Sequence, residues 1–367
     1  MQIEKMISKA ARVGKLYNLE HFHTAWQDPQ IHRLMGNELL YPPSPHVIKA
    51  IQKFIPQLNY YPEDAGTAMR LRTELANYLG LEGGADWITL GNGSMEIIDM
   101  IPRTFLDEGD EVLLPSPEYS PYARRPQLYG GRIIDVIPSG EEFSYKLDDF
   151  LTCLSERSKL IILSRPNAPV GNMVPRELLE ELLKLPVMIL VDEAYAEFSQ
   201  QSISDLLLDY PQLIVSRTFS KAMGLGGIRL GFVAAQPETI QFIERVRVPL
   251  NTSLITQIAA LAALEDVDYI RRNTENVIKT REEFTDNVNR IKGLKVYPSQ
   301  GNSVLVNCRD SEKTAAFFVD KLFSEGYLVR NQSNTRGLAG DFYFRITIGT
   351  QQDMHAVAEI MSDAMEH

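Results

Sequence analysis

Lys221 stands in a run of residues suited to holding an anion, Ser216-Arg-Thr-Phe-Ser-Lys-Ala-Met-Gly-Leu-Gly-Gly-Ile-Arg-Leu-Gly231. Thr218 and Ser220 offer hydroxyl donors. Arg229, eight residues beyond the lysine, offers a planar guanidinium that matches phosphate. Gly224, Gly226 and Gly227 let the backbone turn tightly and approach a ligand closely. An amine held beside a bound phosphate, away from bulk water, can form a Schiff base with a phosphorylated aldehyde. Upstream, Leu190-Val-Asp-Glu-Ala-Tyr195 places an acid and a phenol at the end of an apolar stretch. Asp192 can pair with a protonated pyridine nitrogen, and Tyr195 can donate to a phenolate oxygen. Lysine, acid, phenol and anion cradle together fit pyridoxal 5'-phosphate (PLP).

These residues need a frame that brings them together. Leu213 to Ser216 reads as a buried strand, apolar and β-branched, ahead of the lysine loop. Trp87-Ile-Thr-Leu-Gly-Asn-Gly-Ser-Met-Glu96 reads as strand, tight turn and helix start. Backbone N–H groups at such a helix start bind phosphate, so Gly93, Ser94 and Met95 are candidates for the cradle. Glu111 to Pro115, Arg132 to Pro138, Lys159 to Leu163, Val187 to Val191 and Leu230 to Ala235 read as further strands. Helices are expected over His46–Phe54, Thr67–Leu79, Leu147–Leu154 and Glu177–Leu185. The alternation predicts a largely parallel sheet with helices on both faces. Ligands on such sheets sit at the carboxyl ends of the strands. Asn92, Tyr119, Asp192 and Lys221 all fall just after strands.

From Pro237 to Lys292 the pattern is helical, with a long segment over Val267–Ile291. Two strands follow between Leu294 and Asn307, then a helix over Ser311–Glu325, strands over Gly326–Asn331 and Phe342–Gly349, and a closing helix over Gln351–Met365. Arg345 sits mid-strand between Phe344 and Ile346, where a guanidinium needs an anionic partner. Within residues 1–36, Met1 to Lys15 carries a weak helical pattern, and His21, His23 and His32 make a histidine-rich patch. No cysteine or acid stands at ligand spacing from these histidines, so no metal is expected, and the segment is read as a packed or pocket-lining arm.

Taken in order, these motifs resemble the fold-type I PLP enzymes, and among them the histidinol-phosphate aminotransferase branch, from about Asn37 to Ile360. The resemblance implies an α/β architecture: a large PLP-binding domain with a mostly parallel seven-stranded sheet sandwiched by helices, plus a smaller α+β domain. The expected division is an arm and part of the small domain at 1–45, the large domain at 46–265 and the small domain at 266–367. It implies PLP as cofactor, Lys221 as the Schiff-base lysine, Asp192 on the pyridine nitrogen and Tyr195 on the phenolate oxygen. Tyr119 matches the aromatic that stacks on the ring, with Tyr122 as the competing assignment. Arg345 matches the arginine that holds the substrate's anion, and Arg330 a second arginine of that branch; Asn37 falls with the substrate. Asn167 falls with the cofactor. Tyr61, in Asn-Tyr-Tyr-Pro-Glu, matches a tyrosine that reaches the cofactor phosphate of the partner subunit in a homodimer.

Two positions depart from the family's pattern. Leu39 stands where the Asn-Glu-Asn segment has its second Asn. Ala168, in Pro-Asn-Ala-Pro-Val-Gly171, stands where an Asn donates to the phenolate oxygen. Losing that donor should raise the pKa of the lysine–cofactor imine. The expected reaction is transamination of an amino acid or amine that carries an anionic group. The alternative, motivated by Ala168 and the histidine-rich arm, is decarboxylation, as in the related threonine-phosphate decarboxylases, or elimination and cyclisation of the kind seen in capreomycidine synthase. A PLP-sensing transcription regulator is disfavoured, because about 36 residues precede Asn37 and such regulators carry a longer DNA-binding domain there.

Composition agrees with a soluble enzyme. The 367 residues are 44% hydrophobic and 23% charged, and exceed one ordinary domain. A formal net charge of −11 argues against nucleic acid as a partner. No apolar run is long enough to span a membrane, and the first residues lack a signal-peptide core. Cys153 and Cys308 lie far apart in apolar segments, as reduced core residues of a cytoplasmic protein do.

Overall fold

The structure is a computed structural model that describes residues 3–17, 19–62 and 68–366. The expected helix start at Thr67, and Glu63 of the tyrosine motif, lie outside the described residues.

Seven strands form the large sheet: β1 (Ile88–Asn92), β2 (Glu111–Pro115), β3 (Arg132–Val136), β4 (Ser158–Ser164), β5 (Met188–Asp192), β6 (Leu213–Thr218) and β7 (Leu230–Ala234). Their order across the sheet is β1-β7-β6-β5-β4-β2-β3. Pairings among β2 to β6 are parallel, and β7 runs antiparallel to both its neighbours. Because β7 runs backwards, its first residues, next to Arg229, lie at the edge where the other strands end.

The strands are apolar on both faces because both faces are covered. On β4, Ile161 and Leu163 enter one core while Leu160 and Ile162 enter the other. On β5, Ile189 and Val191 face the first and Leu190 the second. Helix Met69–Tyr78 delivers Leu71 and Leu75 to the first core; helix Ser94–Phe105 delivers Ile97, Ile98 and Ile101 to the second. Each fully buried side chain of this size contributes roughly 1.5–3 kcal/mol of transfer free energy.

A second, antiparallel sheet has the order Arg330–Asn331, Tyr343–Thr347, Ser303–Asn307, Lys295–Val296. Helices Val267–Asn289, Ala315–Ser324 and Gln351–Glu366 belong to the same stretch of chain. One sequence expectation is corrected here. Gly326–Asn331 is not one strand. Tyr327–Leu328 pairs in parallel with His32–Arg33, whereas Arg330–Asn331 pairs with Tyr343–Thr347. Splitting the run pairs the N-terminal arm with Tyr327–Leu328 in a small sheet of its own while placing Arg330 directly across from Arg345.

Among the described residues, three α-helices fall where none was expected: Glu20–Gln27, Pro121–Leu128 and the single turn Ala196–Ser199. Glu20–Gln27 carries His21 and His23, while His32 of the same patch lies on the strand His32–Arg33. Pro121–Leu128 follows Tyr119, with Pro121 in its first turn, where a missing N–H costs nothing. Among the described residues no helix is long and apolar enough to cross a membrane.

Candidate active site

The carboxyl edge of the large sheet collects the expected residues. Asp192 ends β5 and is 3% exposed. Its Oδ1 accepts from the Ala194 N–H at 3.0 Å, and the Tyr122 hydroxyl donates to Oδ2. Burial pushes the carboxyl above its ordinary range, and the Tyr122 bond pulls the other way. With the Tyr122 phenol committed to Asp192, the two candidates for ring stacking take different roles. Tyr119 packs edge-on against Tyr122 with ring centroids 5.5 Å apart, and its hydroxyl reaches Met95 Sδ at 3.6 Å.

Lys221 follows β6 and is partly buried. Its Nζ donates to the Gly36 carbonyl at 3.0 Å and lies 5.8 Å from the centre of the Tyr195 ring. Burial first, then the Arg345 charge, lowers its pKa to about 8, while Glu38 and Asp192 act against them. The amine is therefore poised near neutrality. The Tyr195 hydroxyl accepts from Asn37 Nδ2 at 2.9 Å. Asn37 is held by its own N–H on Thr347 Oγ1 at 2.9 Å and by Asn302 Nδ2 on its carbonyl at 3.0 Å. Segment 34–37 thus threads between the two sheets and touches both Lys221 and Tyr195.

The anion cradle is built as its residue types suggest. Ser220 N–H donates to Thr218 Oγ1 at 3.1 Å, and Arg229 Nη1 donates to the Gly226 carbonyl at 2.9 Å and to Ser220 Oγ at 3.4 Å. Gly93 has φ +76°, and a Cβ there would lie 2.2 Å from Arg229 Nη2. A Cβ on Gly231 would lie 2.6 Å from the Ser94 nitrogen. Both glycines are needed for the helix start at Ser94 to sit directly against β7 and the guanidinium. Helix-start N–H groups at Ser94 and Met95, two hydroxyls and Arg229 converge as a phosphate site requires. With a buried carboxylate and a near-neutral amine beside them, the residues present fit PLP.

Other positions behave differently. Asn167 donates from Nδ2 to the Pro117 carbonyl at 3.1 Å and accepts from the Val170 N–H at 3.0 Å. Its amide thus bridges backbone at both ends, and no side-chain donor exists at the buried Ala168. Tyr61 is 86% exposed and takes no part in this protomer's cluster. Of the histidines, His21 meets Arg330, His23 pairs with Gln27 at 2.8 Å, and His32 pairs with Asp353 at 2.6 Å. Among the described residues no three metal-ligating side chains gather.

Arg330 and Arg345 are cross-strand neighbours. Arg345 donates from Nη2 to the Met35 carbonyl at 2.8 Å, while its Nε is buried without a partner. Among the described residues neither arginine forms an ion pair with a carboxylate. Burial pulls the pKa of both down, and the Arg330 charge lowers that of Arg345 further while the Tyr195 phenol acts against it. Like charges placed opposite one another are unfavourable until an anion joins them.

Sequence reasoning passed over two residues. Glu118, 5% exposed, accepts from the Ser164 and Tyr119 N–H groups, each at 3.0 Å, and from the Ser164 hydroxyl. Burial raises its pKa to about 8. It braces the backbone beneath Tyr119. The second is His21 on the arm helix. Its signal was the histidine-rich patch itself, which pointed to a pocket-lining arm without saying which ring faced inward.

Comparison with known proteins agrees with this geometry. Residues 29–361 match the model of the family "Aminotransferase class I and II". The histidinol-phosphate aminotransferase of Methanothermobacter thermautotrophicus is 32% identical over 93% of this chain and 90% of its own length. That of Geotalea uraniireducens is 35% identical over 92% and 94%. Among solved structures, histidinol-phosphate aminotransferase from Sinorhizobium meliloti, in complex with pyridoxal 5'-phosphate, superposes with a TM-score of 0.85 at 26% identity, covering 98% of this chain and 97% of that one. The fold is shared with L-threonine-O-3-phosphate decarboxylase from Porphyromonas gingivalis, at a TM-score of 0.79 and 21% identity over 92% and 100% of the two chains. The chain belongs to the class I and II aminotransferases, and is a PLP-dependent transferase of fold type I.

Proposed function

We propose that this aminotransferase takes an amino acid or amine that carries an anionic group, of the kind histidinol phosphate is. The observation that carries the reading is the pairing of Arg330 with Arg345 across the second sheet, with no carboxylate partner for either among the described residues. Bound PLP supplies an electron sink for the bond broken at the substrate carbon. Lys221 is the residue that carries it and then moves the proton, since an amine with a pKa about 8 exchanges protons readily near neutrality. Asp192, steadied by Tyr122 and the Ala194 N–H, holds the pyridine nitrogen protonated. Tyr195, steadied by Asn37, is the donor to the ring oxygen. Tyr119 would cover the ring, Gly93, Ser94, Met95, Thr218, Ser220 and Arg229 would hold its phosphate, and Asn37 would serve the substrate.

A second reading, decarboxylation or elimination, keeps one supporting observation: Ala168 supplies no donor where a second one would sit. We further propose a homodimer in which Tyr61 serves the partner's site. The two free cysteines suit a cytoplasmic setting. The test is incubation with candidate amino donors, histidinol phosphate among them. Keto product with matching pyridoxamine phosphate supports transamination; carbon dioxide or an eliminated group without pyridoxamine phosphate supports the second reading. Borohydride should fix a pyridoxyl group on Lys221, and an adduct on another lysine would overturn the assignment.

A further inference from the structure

The arm helix Glu20–Gln27 is fixed against the anion pocket rather than loosely draped over it. Ala25, Met35 and Leu328 form a small buried cluster, joined by Phe22 and Ile31. The His32–Arg33 ladder with Tyr327–Leu328 ends two residues before Arg330. Arg33 pairs with Glu38 at 2.8 Å and lies 5.1 Å over the Trp26 ring. A Cβ on Gly36, whose carbonyl takes the Lys221 amine, would lie 3.3 Å from Phe22. These contacts set the orientation of the helix, and His21 on it meets Arg330: ring Nδ1 against guanidinium Nη1.

A guanidinium has only donors, so His21 Nδ1 must be the acceptor, and the ring must be neutral to accept. We infer that His21 is the proton-coupled third member of the substrate's anion pocket: it parks Arg330 as a neutral acceptor, and takes up a proton from solvent when a doubly charged group binds at Arg330 and Arg345. The inference rests on the reading of the arginine pair as the substrate's anion site. The anion competes with Nδ1 for the Arg330 donor. Once Arg330 turns to it, Nδ1 is released, the proton adds there, and the ring changes from acceptor to donor beside a negative charge. Two arginines and an imidazolium suit a dianion better than a single negative charge, so the pocket would favour phosphate over carboxylate.

Charges around the ring support the direction. Burial first, then Arg330 and Arg345, hold its pKa at about 4, below the ordinary value of 6.5. Glu20 and His23 are the titratable neighbours on its own helix. From the other elements, Tyr17 and Tyr119 act on both arginines, and burial pushes the Tyr119 phenol well above its ordinary range. A dianion offsets the two guanidinium charges and lets the imidazole return to, or above, its ordinary pKa. By linkage the anion binds more tightly as pH falls from roughly 6.5 towards 4.

Sulfate is the probe, because it remains doubly charged over this range, and the PLP-loaded protein is used so that the cofactor's phosphate site is filled. Titration calorimetry in buffers of different ionisation enthalpy should show uptake of close to one proton per sulfate near pH 5. Sulfate affinity should rise on the order of tenfold or more between pH 7.5 and 5. His21→Gln, checked for fold by circular dichroism and cofactor absorbance, should lose both the uptake and the pH dependence. Independently, one imidazole in isotope-labelled wild-type protein should titrate near pH 4 and move upward with sulfate. If Arg330→Gln abolishes sulfate binding while His21→Gln keeps the wild-type pH dependence, the role of His21 is refuted and the arginine reading stands. If the wild type does not bind sulfate, or Arg330→Gln binds it unchanged, the arginine reading fails and takes this inference with it.

Discussion

Ala168 leaves Tyr195 as the side-chain donor expected to face the ring oxygen, because Asn167 bridges the Pro117 carbonyl and the Val170 N–H. Ala168→Asn should therefore lower the pKa read from the cofactor's absorbance titration, by up to about one unit for one added hydrogen bond to an anionic oxygen. An unchanged titration in a folded variant would mean that a donor already faces that oxygen. Glu118 makes a second prediction at this scale. Its pKa in the folded chain is raised to about 8, above the 4.5 of an ordinary Glu, with burial as the main cause. The unfolded chain therefore releases this proton first as pH rises, so the group's share of stability is whole below about 4.5 and declines through 8. The urea midpoint of Glu118→Gln should fall less steeply than that of the wild type between pH 5 and pH 8. Lys221, Asp192, Tyr195 and Arg229 were legible because their chemistry is local to short motifs. Tyr122 on Asp192 was not, since the partners lie 70 residues apart, nor was Glu118 on Ser164, 46 apart. Such pairs exist only once the sheet has formed.

Strand–turn–helix units position the cradle, and the tightest point is Gly93 beneath Arg229. Gly93→Ala adds a methyl 2.2 Å from the guanidinium nitrogen, at a φ of +76° that L residues rarely adopt. With ψ at 166° the backbone strain alone is about 1–3 kcal/mol. Affinity for PLP, followed by fluorescence, should drop roughly tenfold or more; unchanged affinity would remove Gly93 from the phosphate site. On the opposite side of β6, Arg217 is 6% exposed and binds Glu193 Oε2 at 2.8 Å and Glu197 Oε1 at 2.8 Å. Arg217→Ala strands two carboxylates in the interior and should destabilise by about 3–5 kcal/mol in urea unfolding. Long strands and helices were readable from apolar periodicity. Among the described residues, Lys295–Val296 falls where the first of the two strands after Leu294 was expected, but the other three two-residue strands were not resolved as such, because so short a segment has no period. Their pairing is decided by what lies beside them: His32–Arg33 for Tyr327–Leu328, and Tyr343–Thr347 for Arg330–Asn331. The arm helix was missed for a related reason. Only Ala25 of its eight residues is buried, so its apolar stripe is nearly blank.

The protomer leaves a run of large apolar side chains in water: Ile48, Ile55, Leu58, Tyr60 and Tyr61, between 43% and 86% exposed. Exposed apolar side chains gathered in one stretch of chain are what the proposed partner subunit would cover. The cradle residues Thr218, Ser220, Arg229 and the Gly93 turn would reach the cofactor phosphate from one side, which would leave room for a donor from outside the protomer. A two-fold axis would supply the same tyrosine to both sites, because such an interface is self-complementary. Sedimentation should therefore show a dimer at working concentration. Tyr61→Phe should lower turnover roughly tenfold by loss of one hydrogen bond to a charged group, and Lys221→Ala should abolish it. Unfolding and refolding the two variants together makes the arrangement visible. A hybrid dimer collects both lesions in one site and leaves the other intact. Random pairing makes half of all dimers hybrid, so about a quarter of wild-type sites should return. Recovery well above either variant alone would place Tyr61 in the partner's site. If mixing restores nothing although hybrids form, Tyr61 acts within its own protomer or only packs, and the shared-site reading is wrong.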